Sequence, residues 1–177
     1  LNGNRFDLLI PDDALPNLIL KGDFFIEAGK HIDSTIAFDL RKSVHNPVNS
    51  EEYILRPALR LVVDSDAGSL SGSIASSLYV GDCTGAVYVF QDDTAIDDVD
   101  GGIDPVATTA VPNDGKYEYV IGFLNEGDYR IAFTCDASAD DPAIDDDSET
   151  VFFKSVVDVA IKAGQTTNHI FSPEIDT

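Results

Sequence analysis

Apolar and polar residues alternate with a period of two along most of this chain, the spacing of strands that bury one face. In residues 5–10, Phe6, Leu8 and Ile10 alternate with Arg5 and Asp7, until Pro11-Asp12-Asp13 breaks the run. Short strand patterns follow at 17–21 and 24–27. Ile32, Ile36, Phe38 and Leu40 then share a face opposite Asp33, Thr35 and Asp39. Over 53–63, Tyr53, Leu55, Leu59, Leu61 and Val63 point one way and Arg56, Arg60 and Val62 the other. Pro57 forces an edge or a bulge there. Beyond a small, polar stretch at 64–69, two runs stand out: Gly-Ala-Val-Tyr-Val-Phe at 85–90 and Gly-Asp-Tyr-Arg-Ile-Ala-Phe-Thr-Cys at 127–135. Between them, Tyr117, Tyr119, Ile121 and Phe123 line one face. After them, Phe153, Val157, Val159 and Ile161 line another, and Thr167, His169 and Phe171 close the series. No helical periodicity appears, and turn residues recur at roughly 8–12-residue intervals, the rhythm of an all-β sandwich. The pattern predicts two β-sandwich-type domains, residues 1–66 and 67–177.

The first of these looks incomplete. Asn2-Gly3 is a hairpin-turn dipeptide with a strand only on its downstream side. The missing strand is expected before Leu1 or from another molecule, which leaves a strand edge to be covered. The lack of an initiator Met likewise reads as a piece of something longer.

Charge narrows the function classes. The net charge is −21 over 177 residues. Residues 1–66 hold 11 acids and 7 bases, and residues 67–177 hold 21 acids and 4 bases, so the acidity belongs to the second domain. A phosphate backbone needs Lys and Arg to displace its counterions, so nucleic acid is excluded as a partner. An anionic membrane surface is disfavoured for the same reason. No apolar run reaches the roughly 18–20 residues of a transmembrane span. The 44% hydrophobic content is that of a folded protein.

Two cysteines, Cys83 and Cys135, lie 52 residues apart. That is no metal-binding pair, and no histidine is near in sequence. A disulfide is the preferred reading and implies an oxidising compartment; two buried free thiols are the alternative.

Each cysteine-bearing strand region leads into an aspartate loop. The first holds Asp92, Asp93, Asp97, Asp98, Asp100 and Asp104. The second holds Asp136, Asp140, Asp141, Asp145, Asp146, Asp147 and Glu149, and neither contains Lys or Arg. Calcium takes 6–8 oxygens, several of them carboxylate. Asp92, Asp93, Asp97, Asp98, Asp100, Asp140, Asp141, Asp145, Asp146 and Asp147 are therefore the candidate ligands. The spacing is not that of an EF-hand, and the competing reading is a pair of solvated loops. A disulfide would tether both loops near one end of the sandwich, where their mutual repulsion favours a cation.

No catalytic constellation emerges. Gly68-Ser69-Leu70-Ser71-Gly72 lacks the serine spacing of a nucleophile elbow. His31, His45 and His169 fall at turns or strand ends in no metal-binding pattern. Paired carboxylates for glycoside hydrolysis lack an aromatic sugar platform, Trp being absent. Arg56 and Arg60 on one strand face could grip an acid, but a solvated face is the plainer reading.

Gly72-Ser73-Ile74, residues 85–90, Asn113-Asp114-Gly115-Lys116-Tyr117-Glu118-Tyr119 and residues 123–131, in that order and spacing, resemble the carboxypeptidase-regulatory-like, or transthyretin-like, β-sandwich. Residues 160–171 look like that family's closing hairpin. Phe24-Phe25-Ile26-Glu27-Ala28-Gly29, residues 38–43 and Tyr53-Ile54-Leu55-Arg56-Pro57 resemble the C-terminal part of domain of unknown function 4382, a family of bacterial surface lipoproteins. The resemblance implies an exported Gram-negative surface protein with a lipid anchor upstream of Leu1, and it carries over no catalytic residues. The expectation is a non-catalytic extracellular structural or binding module. It binds calcium in one version and self-assembles by β-strand addition into a filament or surface layer in another. The rival is a carbohydrate-binding or accessory domain of a larger secreted enzyme.

Overall fold

A computed structural model describes residues 5–12, 20–21, 24–46, 52–99, 104–143 and 151–173. The fold is all-β, and the described residues form four sheets. The Asn2-Gly3 turn lies outside the described residues, as do Asp100, Asp145, Asp146 and Asp147.

Two three-stranded sheets come from residues before Asp64. In one, β1 (Leu8–Leu9) runs parallel to β5 (Tyr53–Leu55), which pairs antiparallel with β4 (Val44–His45). In the other, β2 (Leu20–Lys21) runs parallel to β6 (Leu59–Val63), which pairs antiparallel with β3 (Ser34–Phe38). A one-turn helix, α1 (Leu40–Ser43), joins β3 to β4. The alternation expected over 53–63 is present but inverted in its burial. Paired residues share a face, so Ile36, Phe38, Leu59 and Leu61 lie together, and Ile36 and Phe38 are exposed. The opposite face holds buried Val62 and Arg60, whose Nη1 donates to the Phe123 carbonyl at 2.7 Å. The arginine face is thus the inner one, because it packs on the second half of the chain. Residues 24–27 form no strand.

The remaining two sheets form a sandwich. β7 (Ala67–Ile74) is flanked by β10 (Glu118–Asn125), antiparallel, and β13 (Thr166–Phe171), parallel. The second sheet has the order β12-β11-β8-β9, all antiparallel, from β8 (Gly85–Gln91), β9 (Ala107–Val111), β11 (Gly127–Thr134) and β12 (Phe153–Ile161). Residues 160–171 therefore do not form a paired hairpin: β12 and β13 belong to different sheets. They still close one side of the sandwich, where Thr167 Oγ1 donates to the Ala160 carbonyl at 2.7 Å. The parallel β7–β13 pair is tight. A Cβ at Gly72 would collide with the His169 carbonyl, so only glycine fits there.

Leu70, Ile74, Val87, Val89, Tyr119, Ile121, Leu124, Ile131, Phe133 and Phe171 fill the space between the sheets. Phe123 does not join them. The β7–β10 register shifts between Ile121 and Leu124, with Phe123 at φ +55°, so Leu124 turns inward and Phe123 outward. The same bulge presents the Phe123 carbonyl to Arg60. β8 departs from a one-faced strand altogether: its residues 85–90 are all buried. Val87 and Val89 face the sandwich core, while Ala86, Tyr88 and Phe90 pack with Ala132, Val99 and Ala137 on the outer face. The aspartate-loop residues Val99 and Ala137 help cover that second face.

Candidate functional site

The outer face of β8 is where the two halves of the chain meet. Cys83 and Cys135 are disulfide-bonded with Cα atoms 4.5 Å apart. The bond pins the start of β8 to the end of β11, and Thr84 N donates to the Cys135 carbonyl at 2.8 Å. The second aspartate loop starts beside this bond. The first starts at the far end of the sheet, because antiparallel pairing sets Gln91 opposite Tyr129 and Asp92 N donates to the Asp128 carbonyl, so the bond does not tether both loops near one end of the sandwich.

The cations that these loops lack arrive from α1 and β4. Asp39 caps α1: its carboxylate accepts from Arg41 N at 3.1 Å and Lys42 N at 3.3 Å. It also accepts from Thr108 N at 2.6 Å and from Thr108 Oγ1, so one carboxylate both starts the helix and occupies the outer edge of β9. Ser43, buried, donates to the Asp39 carbonyl at 2.5 Å and accepts from Ala58 N at 2.9 Å, locking the turn onto the chain before β6.

So held, α1 aims Arg41 at the loops. Its Nη2 donates to Asp140 Oδ2 at 3.0 Å, to the Tyr88 hydroxyl at 2.8 Å and to the Ala137 carbonyl at 3.3 Å. The guanidinium carbon lies 5.5 Å from the Tyr88 ring centroid, within cation–π range. Tyr88 passes its own O–H to Asp140, whose Oδ1 accepts from Val99 N at 3.2 Å. The Asp140 side chain is 1% exposed and Arg41 20%. Burial pushes the Tyr88 phenol far above its ordinary range, with Arg41 opposing and Asp140 adding, so it stays neutral and donates. Two further pairs flank this centre. His45 Nδ1 meets Asp141 Oδ1, and Lys42 Nζ donates to the Pro105 carbonyl at 2.7 Å beside Asp104 at 3.5 Å.

Six of the ten calcium-ligand candidates lie among the described residues. Asp140 and Asp141 face Arg41 and His45. Asp92 and Asp93 sit exposed at the turn after β8, close enough to Arg130 to help raise its pKa, after the larger effect of Asp158. Asp97 is half-buried and accepts from Asp98 N at 3.1 Å, while Asp98 itself is fully buried. Among the described residues no group of three or more His, Cys, Asp or Glu is arranged to hold a metal ion. The cation found at Asp140 is Arg41. The alternation pattern gave no sign of this, because no strand alternation runs through residues 41–50. The usable signal was charge: 7 of the chain's 11 bases lie in residues 1–66, against an acidic second half.

No family model and no curated protein matches this chain. A solved structure of GBS52, a minor pilin from the gram-positive Streptococcus agalactiae, overlaps 71% of this chain and 52% of its own, at 12% identity and a TM-score of 0.33. The chain spans about half the length of that pilin, and at that TM-score the overlap carries no argument about function.

Proposed function

We propose that this chain is a non-catalytic structural module of a bacterial cell-surface protein. Its acidic loops serve as the seat of an internal joint. The observation that carries the reading is the Cys83–Cys135 disulfide, a crosslink that persists in oxidising compartments and is rare in reducing ones. The joint adds to it. Arg41, Lys42 and His45 spend their charge inside the molecule on Asp140, Asp104 and Asp141. Such contacts fix the relative position of two sheet systems. The resemblance to surface lipoproteins supports the same placement.

The test is made on protein drawn from its native source. Peptide mapping with alkylation before and after reduction should find Cys83 and Cys135 blocked until reductant is added. Surface biotinylation of intact cells should label the chain. Free thiols in freshly lysed cells, or a chain protected from labelling, would refute the reading.

A further inference from the structure

The sandwich begins on β7 and ends on β13, and these two strands lie side by side in parallel. The register pairs Thr166 with Ser69 at one end and Phe171 with Ile74 at the other. Ser69 N donates to the Gln165 carbonyl at 2.9 Å and Ala75 N to the Phe171 carbonyl at 2.8 Å, so the ladder is bonded at both ends. The chain enters this pair at Ala67 and leaves it past Phe171, at the opposite end. A pull on those two points slides one strand along the other. The ladder bonds then carry the tension together, because none can stretch without the rest. Antiparallel neighbours would set entry and exit at the same end, and their bonds would break one after another.

Side chains and backbone obstruct the same sliding motion. A Cβ at Gly72 would lie 1.7 Å from the His169 carbonyl oxygen, so the two backbones are as close as glycine allows. That carbonyl also accepts from the Tyr119 hydroxyl at 3.0 Å, which ties β13 to β10 across β7. On the other face of the sheet, Asn168 Nδ2 donates to Ser71 Oγ at 3.0 Å. Leu70, Ile74 and Phe171 are buried in the core, and moving either strand along its axis drags them out of a close-packed interior. The first half of the chain leaves this path clear. It docks on Phe123, Thr108 and Asp140, and it reaches β7 through the single turn Asp64–Asp66. The Asp66 carbonyl, at the point of entry, accepts from Glu126 N at 2.8 Å.

We propose that the β7–β13 pair is a shear clamp through which this module bears tension along the chain. The proposal rests on the structural-module reading and gives that module its task.

Single-molecule pulling on the full chain tests it in two geometries. With handles at the two chain ends, tension crosses the clamp in shear. For the second geometry the downstream handle moves to Gln165→Cys. Gln165 is exposed, and both native cysteines are bonded, so this thiol is the sole attachment point. It lies at the same end of the ladder as Ala67, where Gly164 N donates to the Ala67 carbonyl at 2.8 Å, so β7 is peeled away from that end. Rupture of the sandwich is recognised as the event that lengthens by about 18 nm in Cys83→Ala/Cys135→Ala, from a loop of 52 residues at about 3.5 Å each. Forced unfolding is set by the unfolding barrier along the pulled direction, so the end-to-end rupture force should be at least about twice the peeling force. Equal forces in the two geometries, or a weaker end-to-end rupture, overturn the proposal. Neither result depends on compartment. A failed clamp leaves the thiol and surface-labelling results standing, and an intracellular location leaves the force ratio standing.

Discussion

Replacing Arg41 with methionine keeps the unbranched apolar stem of the side chain and deletes its charged head. In the native structure the Asp140 carboxylate is 1% exposed, and Arg41, Tyr88 and Val99 N are among its donors. The substitution deletes the charged guanidinium beside a buried carboxylate. Removing one partner of a buried ion pair costs about 3–5 kcal/mol. Arg41 is partly solvated, and the Tyr88 and Val99 donors stay in place, so we place the loss near the low end, at about 3 kcal/mol. Urea unfolding followed by far-ultraviolet circular dichroism reads this directly, tryptophan fluorescence being unavailable in a chain without Trp. A double-mutant cycle isolates the pair. Asp140→Asn in the Arg41→Met background should recover part of the loss, giving a coupling energy of about 1.5–3 kcal/mol. If Arg41→Met costs less than about 0.5 kcal/mol, the range of an ordinary surface change, the joint is not what holds the two halves in register.

Removal of the disulfide as Cys83→Ala/Cys135→Ala should lower stability by about 4 kcal/mol, the chain-entropy value for a loop of this length, measured as a fall in the urea midpoint. Asp39→Ala loses the α1 cap and both Thr108 bonds together. We expect a cost of roughly 2–3 kcal/mol, with amide exchange rising at Thr108 on the newly opened β9 edge. Burial holds the His169 imidazole below its ordinary pKa, so the unfolded chain binds that proton more readily than the folded one. Stability from this group is therefore complete above the ordinary histidine pKa and declines as pH falls from there through the lowered folded value. His169→Gln should flatten that part of the pH–stability curve, read from melts at a series of pH values.

Much of the fold was legible because strand alternation is a local property. The runs at 85–90, 127–135 and 153–161 became β8, β11 and β12, and the two cysteines in phase with the first pair bonded. Other features were not local. The face of Phe123 depended on a bulge whose carbonyl serves Arg60, and nothing in residues 116–124 reports that partner. Strand pairing also escaped the pattern. Periodicity says that Thr167, His169 and Phe171 share a face, but not that their strand pairs with β7 rather than β12.

At the site, the amino-acid sequence determined the charges and the tertiary structure decided their use. Two acidic loops without a base of their own read from sequence as solvated loops or a calcium site, and composition does not show that a distant cation serves one of them. Arg41 reaches Asp140 across 99 residues of chain because Asp39 caps a single helical turn and grips β9 at the same time. A pairing of that kind depends on where two surfaces dock, which short-range pattern cannot encode. The exposed apolar face of β3 has the same origin. Alternation drew the stripe through Ile36 and Phe38 correctly, and only the docking of Val62 and Arg60 against the sandwich decided that the stripe would face outward.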